Sequence, residues 1–301
     1  MYDKYTRLFI GEHMEPKTQK INPLTAFMRQ PKIFISLPSQ GQFYPEGSID
    51  MPENGQLAVY SMTARDELLL NVPDALMNGQ AVIEVIQNCV PSIKNAWHIP
   101  SIDMDLLLLS IRLATYGELM STPIKIAEDF EYDYQVDLRI VMDSLLSQIV
   151  WDPVVPIYEN LTVFVRPLNY KEMTKSAIQT FETQKIIQAV NDDSLTEEQK
   201  QQIFKDSFVK LSGVTVGMVI DSIFRIDTEE GAVEDKEFIK EFVENCDKEI
   251  FNRIQQHLEK LKEQNAIKPI VVSVTDEMRA AGVTGETIEV PLTFDPSTFF
   301  V

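Results

Sequence analysis

Histidine, cysteine and clustered basic charge are the scarce features of this chain, and each scarcity removes a class of function. Three histidines, His13, His98 and His257, stand in 301 residues. None lies near a second histidine or a cysteine at metal-ligand spacing. His98, in WHIP at 97–100, has the most suggestive surroundings. No nucleophile or orienting carboxylate stands beside it, so it reads as a structural histidine and not a general base. The two cysteines, Cys89 and Cys246, each sit inside an apolar helical pattern. They read as buried thiols of a reducing cytoplasm, not as a disulfide. No apolar run approaches the roughly 20 residues that span a bilayer. The opening MYDKYTRLFIGEH lacks a continuous apolar core and a small-residue cleavage site, so no signal peptide is expected. Phosphate-loop, dinucleotide, nucleophile-elbow and HExxH patterns are all missing. No cofactor is expected.

What is present is an ordinary globular composition, 44% hydrophobic, with a formal net charge of −19. The acid is spread over both halves: residues 1–150 hold 11 basic and 19 acidic side chains, residues 151–301 hold 16 and 27. Nucleic-acid affinity rests on neutralising phosphates, and no basic stripe offsets this charge. Even Lys260 and Lys262 are flanked by Glu259 and Glu263. Nucleic acid and membrane are therefore both disfavoured as partners.

The patterning predicts an α+β fold. A polar arm at 1–22 precedes a mixed domain at 23–167, with strands at 32–37, 56–61, 122–127, 131–136 and 161–167. Thr63 and Asp66 form a capping-box pattern at a short helix. The run 80–90 reads as a buried helix, and 90–100 as a proline-bracketed loop. Ser101 is the expected N-cap of a helix apolar nearly all round, ended by Gly117 and placed at the centre of the core. Asp103 and Asp105 are read as first-turn acids facing the helix dipole. A further helix is expected at 138–150. Residues 168–266 are predicted helical, with segments at 170–190, 196–226 and 234–264. In the last, Phe238, Phe242, Cys246, Ile250, Ile254 and Leu258 step by four as one broad buried stripe. Residues 267–301 return to strand character, and this C-terminal strand pair is expected to pack on the first domain.

Two further features invite chemistry. Glu128, Asp129, Glu131, Asp133 and Asp137 could hold a hard cation, but they lack EF-hand spacing and read as a solvated hairpin edge. The loop LPSQGQFYPEG at 37–47 follows a strand that Pro38 ends. Ser39 has no basic partner nearby in sequence, and Gly41 and Gly47 are too far apart for a phosphate cradle. The loop reads as a structural turn, with a binding role as the alternative.

The stretches NPLTAFMRQPK (22–32), LPSQGQFY (37–44), YSMTARDE (60–67), PDALMNG (73–79), IQNCVPSIK (86–94), IPSIDMDLLL (99–108), RLATYG (112–117) and FDPSTFF (294–300) occur in that order. Together they resemble a family of baseplate proteins from T-even-type contractile-tailed bacteriophages. The resemblance is dense over 22–140, loose through the helical middle, and returns at the C-terminus. It implies a non-enzymatic protein of baseplate central-hub assembly, either chaperone or hub subunit, with other baseplate hub proteins as partners. It also implies a place in the infected host cytoplasm during assembly, or in the virion tail. Gln40, Gly41, Phe43, Tyr44, Trp97 and His98 are the expected partner contacts. Family members often carry cysteine pairs before the YQVDL-like segment (134–138) and before the final FDP. Neither pair exists here, so zinc is not carried over, and both ribbons are expected to close by hairpin pairing. The alternative function is a hub-associated hydrolase of cell-wall glycan, which would need two facing carboxylates. The sequence does not fix the oligomeric state.

Overall fold

The computed structural model describes residues 22–127, 130–147, 151–189, 196–280 and 282–292. The arm at 1–21, two of the clustered acids (Glu128 and Asp129), the polar break at 191–194 and the closing 294–301 lie outside the described residues. Residues 22–30 belong to a small unit of their own, a 3-10 turn over Pro23–Phe27 capped by the Asn22 side chain.

The remainder, from Pro31 onward, is α+β as expected. Strand β1 (Pro31–Ile35) pairs antiparallel with β2 (Leu57–Tyr60). Three helices follow, α1 (Ala64–Leu70), α2 (Pro73–Met77) and α3 (Gln80–Cys89). The Thr63–Asp66 capping box forms as read, satisfying two amides at the start of α1. Helix α4 (Ser101–Tyr116) is the centre of the first core, with Leu106, Leu107, Leu109 and Ile111 fully enclosed. Each such side chain contributes roughly 2 kcal/mol of burial free energy. Gly117 closes α4, but its N-cap is Pro100 and not Ser101, and Asp103 turns inward and not toward solvent.

Next come β3 (Leu119–Ala127) and β4 (Phe130–Asp137), an antiparallel hairpin, and helix α5 (Leu138–Leu146). Both ribbons expected to close by strand pairing do so, the second through β9 and β10 below.

The second core is built on a four-stranded antiparallel sheet. Its order is β5 (Val154–Tyr158), β6 (Leu161–Val165), β7 and β8. Strand β5 carries Pro156 and lies at the sheet edge, where a missing N–H is tolerated. Two long helices, α6 (Tyr170–Ala189) and α7 (Glu197–Ser222), come between β6 and β7. Strands β7 (Ile223–Thr228) and β8 (Gly231–Val233) then complete the sheet. The sequence reading ran a helix to Ile226; the chain instead leaves α7 after Ser222. Ile223 and Ile226 are drawn into the sheet core beside Val163 and Val165, and tertiary pairing overrides a helical pattern there.

Against this sheet pack α8 (Lys236–Asn245) and α9 (Lys248–Asn265). They are two helices and not the single helix expected at 234–264. Cys246 and Asp247 are both extended, and Asp247 is the N-cap of α9. The buried stripe is accordingly Ile239, Val243, Ile250, Ile254 and Leu261. Phe238 is 63% exposed, so the step-of-four reading misplaced it. Strand β9 (Ile270–Ser273), helix α10 (Asp276–Ala280) and strand β10 (Thr287–Val290) end the described chain, and Leu292 is buried in the first core.

Helix α7 runs unbroken through Gly213 and Gly217. A Cβ at either position would meet nothing within 4 Å. Gly213→Ala and Gly217→Ala should therefore each stabilise the protein by about 0.5–1 kcal/mol, by restricting the unfolded chain. A rise in urea midpoint at constant m-value checks this.

Candidate functional site

The loop after β1 is built around one carboxylate. Asp103, on the first turn of α4, accepts hydrogen bonds from the Ser39 amide at 2.9 Å and the Ser39 hydroxyl at 2.5 Å. A third comes from the Tyr44 hydroxyl at 3.0 Å. Burial pushes the Asp103 carboxyl up to about 6, against the lowering effect of these bonds. Tyr44 is pushed above the usual phenol range by burial and by the Asp103 charge. Between the two anchored ends, Gln40 and Phe43 both adopt positive φ, 54° and 68°. Such conformations are costly for side chains larger than glycine and persist only where surroundings over-determine them. Here the surroundings are visible: Ser39 and Tyr44 hold the loop at both sides through Asp103. Gly41 also has a positive φ, 80°, and a Cβ added there would meet the Met51 side chain at 3.0 Å.

Ser39 has no basic partner near it in sequence, as read, but its hydroxyl finds an acceptor 64 residues away; Asp103, a first-turn acid of α4 as read, is also buried. The carboxylate accepts directly from the Ser39 hydroxyl, with no imidazole between them as in a Ser-His-Asp triad. The one histidine near this core, His98, leaves its buried Nδ1 without a hydrogen-bond partner among the described residues. Asp103 is also sealed from solvent. A raised carboxyl often marks a catalytic acid, but one without solvent access cannot reach a glycan.

The expected contact residues are brought to one core but not into one site. Gln40 is exposed, Gly41 and Phe43 half-buried. Tyr44 and Trp97 pack on the first core, and Trp97 lies against Tyr170 with ring centroids 5.8 Å apart. Tyr170 opens α6, and its amide donates to the Ile99 carbonyl at 2.9 Å. The start of α6 is thereby fixed to the start of α4. The same corner carries a two-pronged ion pair: Arg166 Nη1 and Nη2 donate to Glu172 at 3.0 and 2.7 Å. Burial raises the Glu172 carboxyl, but hydrogen bonds from Arg166 and the Asn169 amide outweigh this and hold it below the usual range.

From that anchored corner the α6–α7 hairpin presents the residues that sequence reading missed. Its enclosed positions include the small polar Thr183, Ser207 and Ser222, with Val219. Several of its large apolar side chains face out: Phe208 is 72% exposed and Phe204 49%, joined by Phe181, Ile186 and Val209. Phe204 and Phe208 are four residues apart and share a helix face. That spacing was legible; which face met solvent was not. A hollow of about 500 Å³ lies between the helices, lined by Lys175, Gln179, Thr183, Lys210, Gly213 and Gly217. The two helices balance their charges, six lysines against six acids in 170–189 and 197–222, in a chain of net −19. The two helices thus carry exposed apolar side chains and balanced charge, and among the described residues there is no cluster of three His, Cys, Asp or Glu able to hold a metal.

Among the described residues no helix is long and apolar enough to cross a membrane. Comparison with curated proteins and with solved structures finds no match. The family model described as T4 bacteriophage base plate protein matches residues 44–273, running through both cores and the hairpin. Since that match takes in most of the chain, the protein belongs to the T4 bacteriophage base plate protein family.

Proposed function

We propose that this baseplate protein acts without catalysis in assembly of the central hub, as a hub subunit or an assembly chaperone, through contacts with other hub proteins. The observation that carries the reading is the α6–α7 hairpin, whose phenylalanines face solvent while its small polar residues are enclosed. Exposed aromatic side chains of this kind supply binding energy at interfaces far more often than at idle surfaces. The strained loop at Gln40, Gly41 and Phe43 is a second proposed contact, since strain of this type gathers where function holds it. Tyr44, Trp97 and His98 complete this proposed set of contacts.

The test is the double variant Phe204→Ser, Phe208→Ser, expressed in phage-infected cells. Co-purification of other baseplate proteins should fall at least tenfold, while the unfolding temperature stays within about 1 °C, because both side chains are largely exposed. Unchanged co-purification would count against the reading. Mass spectrometry of purified virions separates the two roles, a stoichiometric band marking a subunit and its absence a chaperone.

A further inference from the structure

A separate cleft opens on the second core, and none of the hairpin's exposed phenylalanines lines it. It has a volume of about 770 Å³ and runs between the sheet and the α8–α9 junction. Its floor is apolar: Leu161 of β6, Ile226 of β7, Val233 of β8, with Phe238 and Phe242 of α8 and Ile250 of α9. The cleft exists because α8 stops at Asn245. A continuous helix would have carried Cys246 and Asp247 onward in register, but the two extended residues redirect the chain. Phe238 and Phe242 are left lining open space, the first mostly exposed and the second half-buried.

The rim of this apolar floor is acidic. Glu241 and Asp247 line the cleft and both are exposed. Residues 225–250 hold ten acids against four basic side chains. Of those four, Arg225 is committed to Asp227 at 2.6–2.7 Å. An anionic rim around aromatic and aliphatic anchors repels a second copy of the same acidic chain and an anionic ligand alike, and attracts the opposite charge. Its volume suits a few apolar side chains presented by one short segment.

We infer that this cleft docks a basic amphipathic segment of a partner protein, apolar anchors entering between Phe238, Phe242 and Val233 while flanking lysines or arginines meet Glu241 and Asp247. The inference rests on the reading that the chain works through protein contacts, and adds a second surface with its own partner chemistry. Both halves of the recognition are needed: the apolar floor gives affinity, and the rim selects charge and speeds encounter.

The test uses the full chain and a fluorescein-labelled model peptide, LKKLLKLLKKLL, with an equally charged sequence-shuffled peptide that cannot form an apolar face. Three proteins are compared by fluorescence anisotropy: the unaltered chain, the cleft reversal Glu241→Lys with Asp247→Lys, and the remote reversal Glu46→Lys with Glu53→Lys. All four positions are exposed, Asp247 makes no side-chain cap hydrogen bond at the start of α9, and both variants change net charge equally. The cleft reversal should weaken amphipathic-peptide binding at least tenfold and the remote reversal less than twofold. The shuffled peptide should bind at least tenfold more weakly than the amphipathic one. Alkylating Cys246, half-buried in the cleft wall, with N-ethylmaleimide should block the peptide; Cys89 is enclosed and escapes the reagent. Equal loss in both reversals would mean generic attraction to an acidic protein and overturn the inference. Indifference to Cys246 alkylation, or self-association abolished by the cleft reversal, would overturn it too. The contact reading is judged separately: loss of baseplate co-purification in the phenylalanine variant, beside peptide binding that ignores the cleft, leaves that reading standing and removes this one.

Discussion

Replacing Asp103 with alanine lowers stability by about 3 kcal/mol, the largest single-site effect expected here outside the apolar cores. The carboxylate receives the Ser39 amide, the Ser39 hydroxyl and the Tyr44 hydroxyl, and its removal leaves all three donors without it in an enclosed site. Each orphaned donor costs about 1–3 kcal/mol. Relief from holding a desolvated charge offsets part of the sum, since the carboxyl is already pushed up to about 6 by burial. The loop should loosen with it, because Gln40 and Phe43 lose the anchors that hold them at positive φ. Asp103→Asn is the instructive partner variant. An amide still accepts from the Ser39 N–H and donates to hydroxyls that can rotate, so its cost should stay near 1 kcal/mol or below. Urea unfolding of both variants reads the difference, and hydrogen exchange of residues 40–43 reads the loop. A cost under about 1 kcal/mol for the alanine variant would show that the loop is held by something else.

Lowering the pH from 7.5 to about 5 raises stability, contrary to the behaviour of proteins whose carboxylates are mostly paired. Burial pushes Asp105 up to about 6, with no hydrogen bond opposing it, and pushes Asp103 to about the same value. Both ordinarily titrate at 3.8. Between those values the folded protein binds more protons than the unfolded chain, so stability falls as pH rises through that window. Two units on one group correspond to about 3 kcal/mol at the limit, and relief of the −19 net charge acts in the same direction. The opposing carboxylates are Glu172, Asp137 and Asp227, each held below its usual range with an arginine donating to it. Their contribution is present above the ordinary carboxylate pKa and is lost as pH falls below it. The two trends cross, and the unfolding midpoint should peak near pH 5 and drop on either side. Asp105→Asn should raise stability at pH 7.5 by about 2 kcal/mol and shallow the slope between pH 4 and 6. A midpoint that climbs steadily from pH 5 to 7.5 would refute the account.

The baseplate family places this chain among proteins of a phage tail that work in contact with other baseplate proteins. Two surfaces then divide the proposed work. The α6–α7 hairpin offers aromatics of even charge, and the α8–α9 cleft offers an apolar floor with an anionic rim.

Local rules carried as far as they are local. The all-round apolar pattern from Met104 to Ala114 determined a central helix, because no face of it can be left in water. Thr63 with Asp66 determined where α1 starts, and Gly117 where α4 stops, since both are satisfied within a few residues. The ordered run of motifs from 22 to 117 determined the family resemblance. The tertiary structure decided the rest. It drew Ile223 and Ile226 out of a helical pattern into a sheet, and it broke one amphipathic stripe into α8 and α9. It also made Asp103, a first-turn acid of α4, the anchor of a loop 59–64 residues away in sequence. Periodicity names the face of an element that is apolar, but only the neighbours that arrive from elsewhere in the chain determine whether that face is covered. For Leu107 they arrive from every side; for Phe208 and Phe238 they do not.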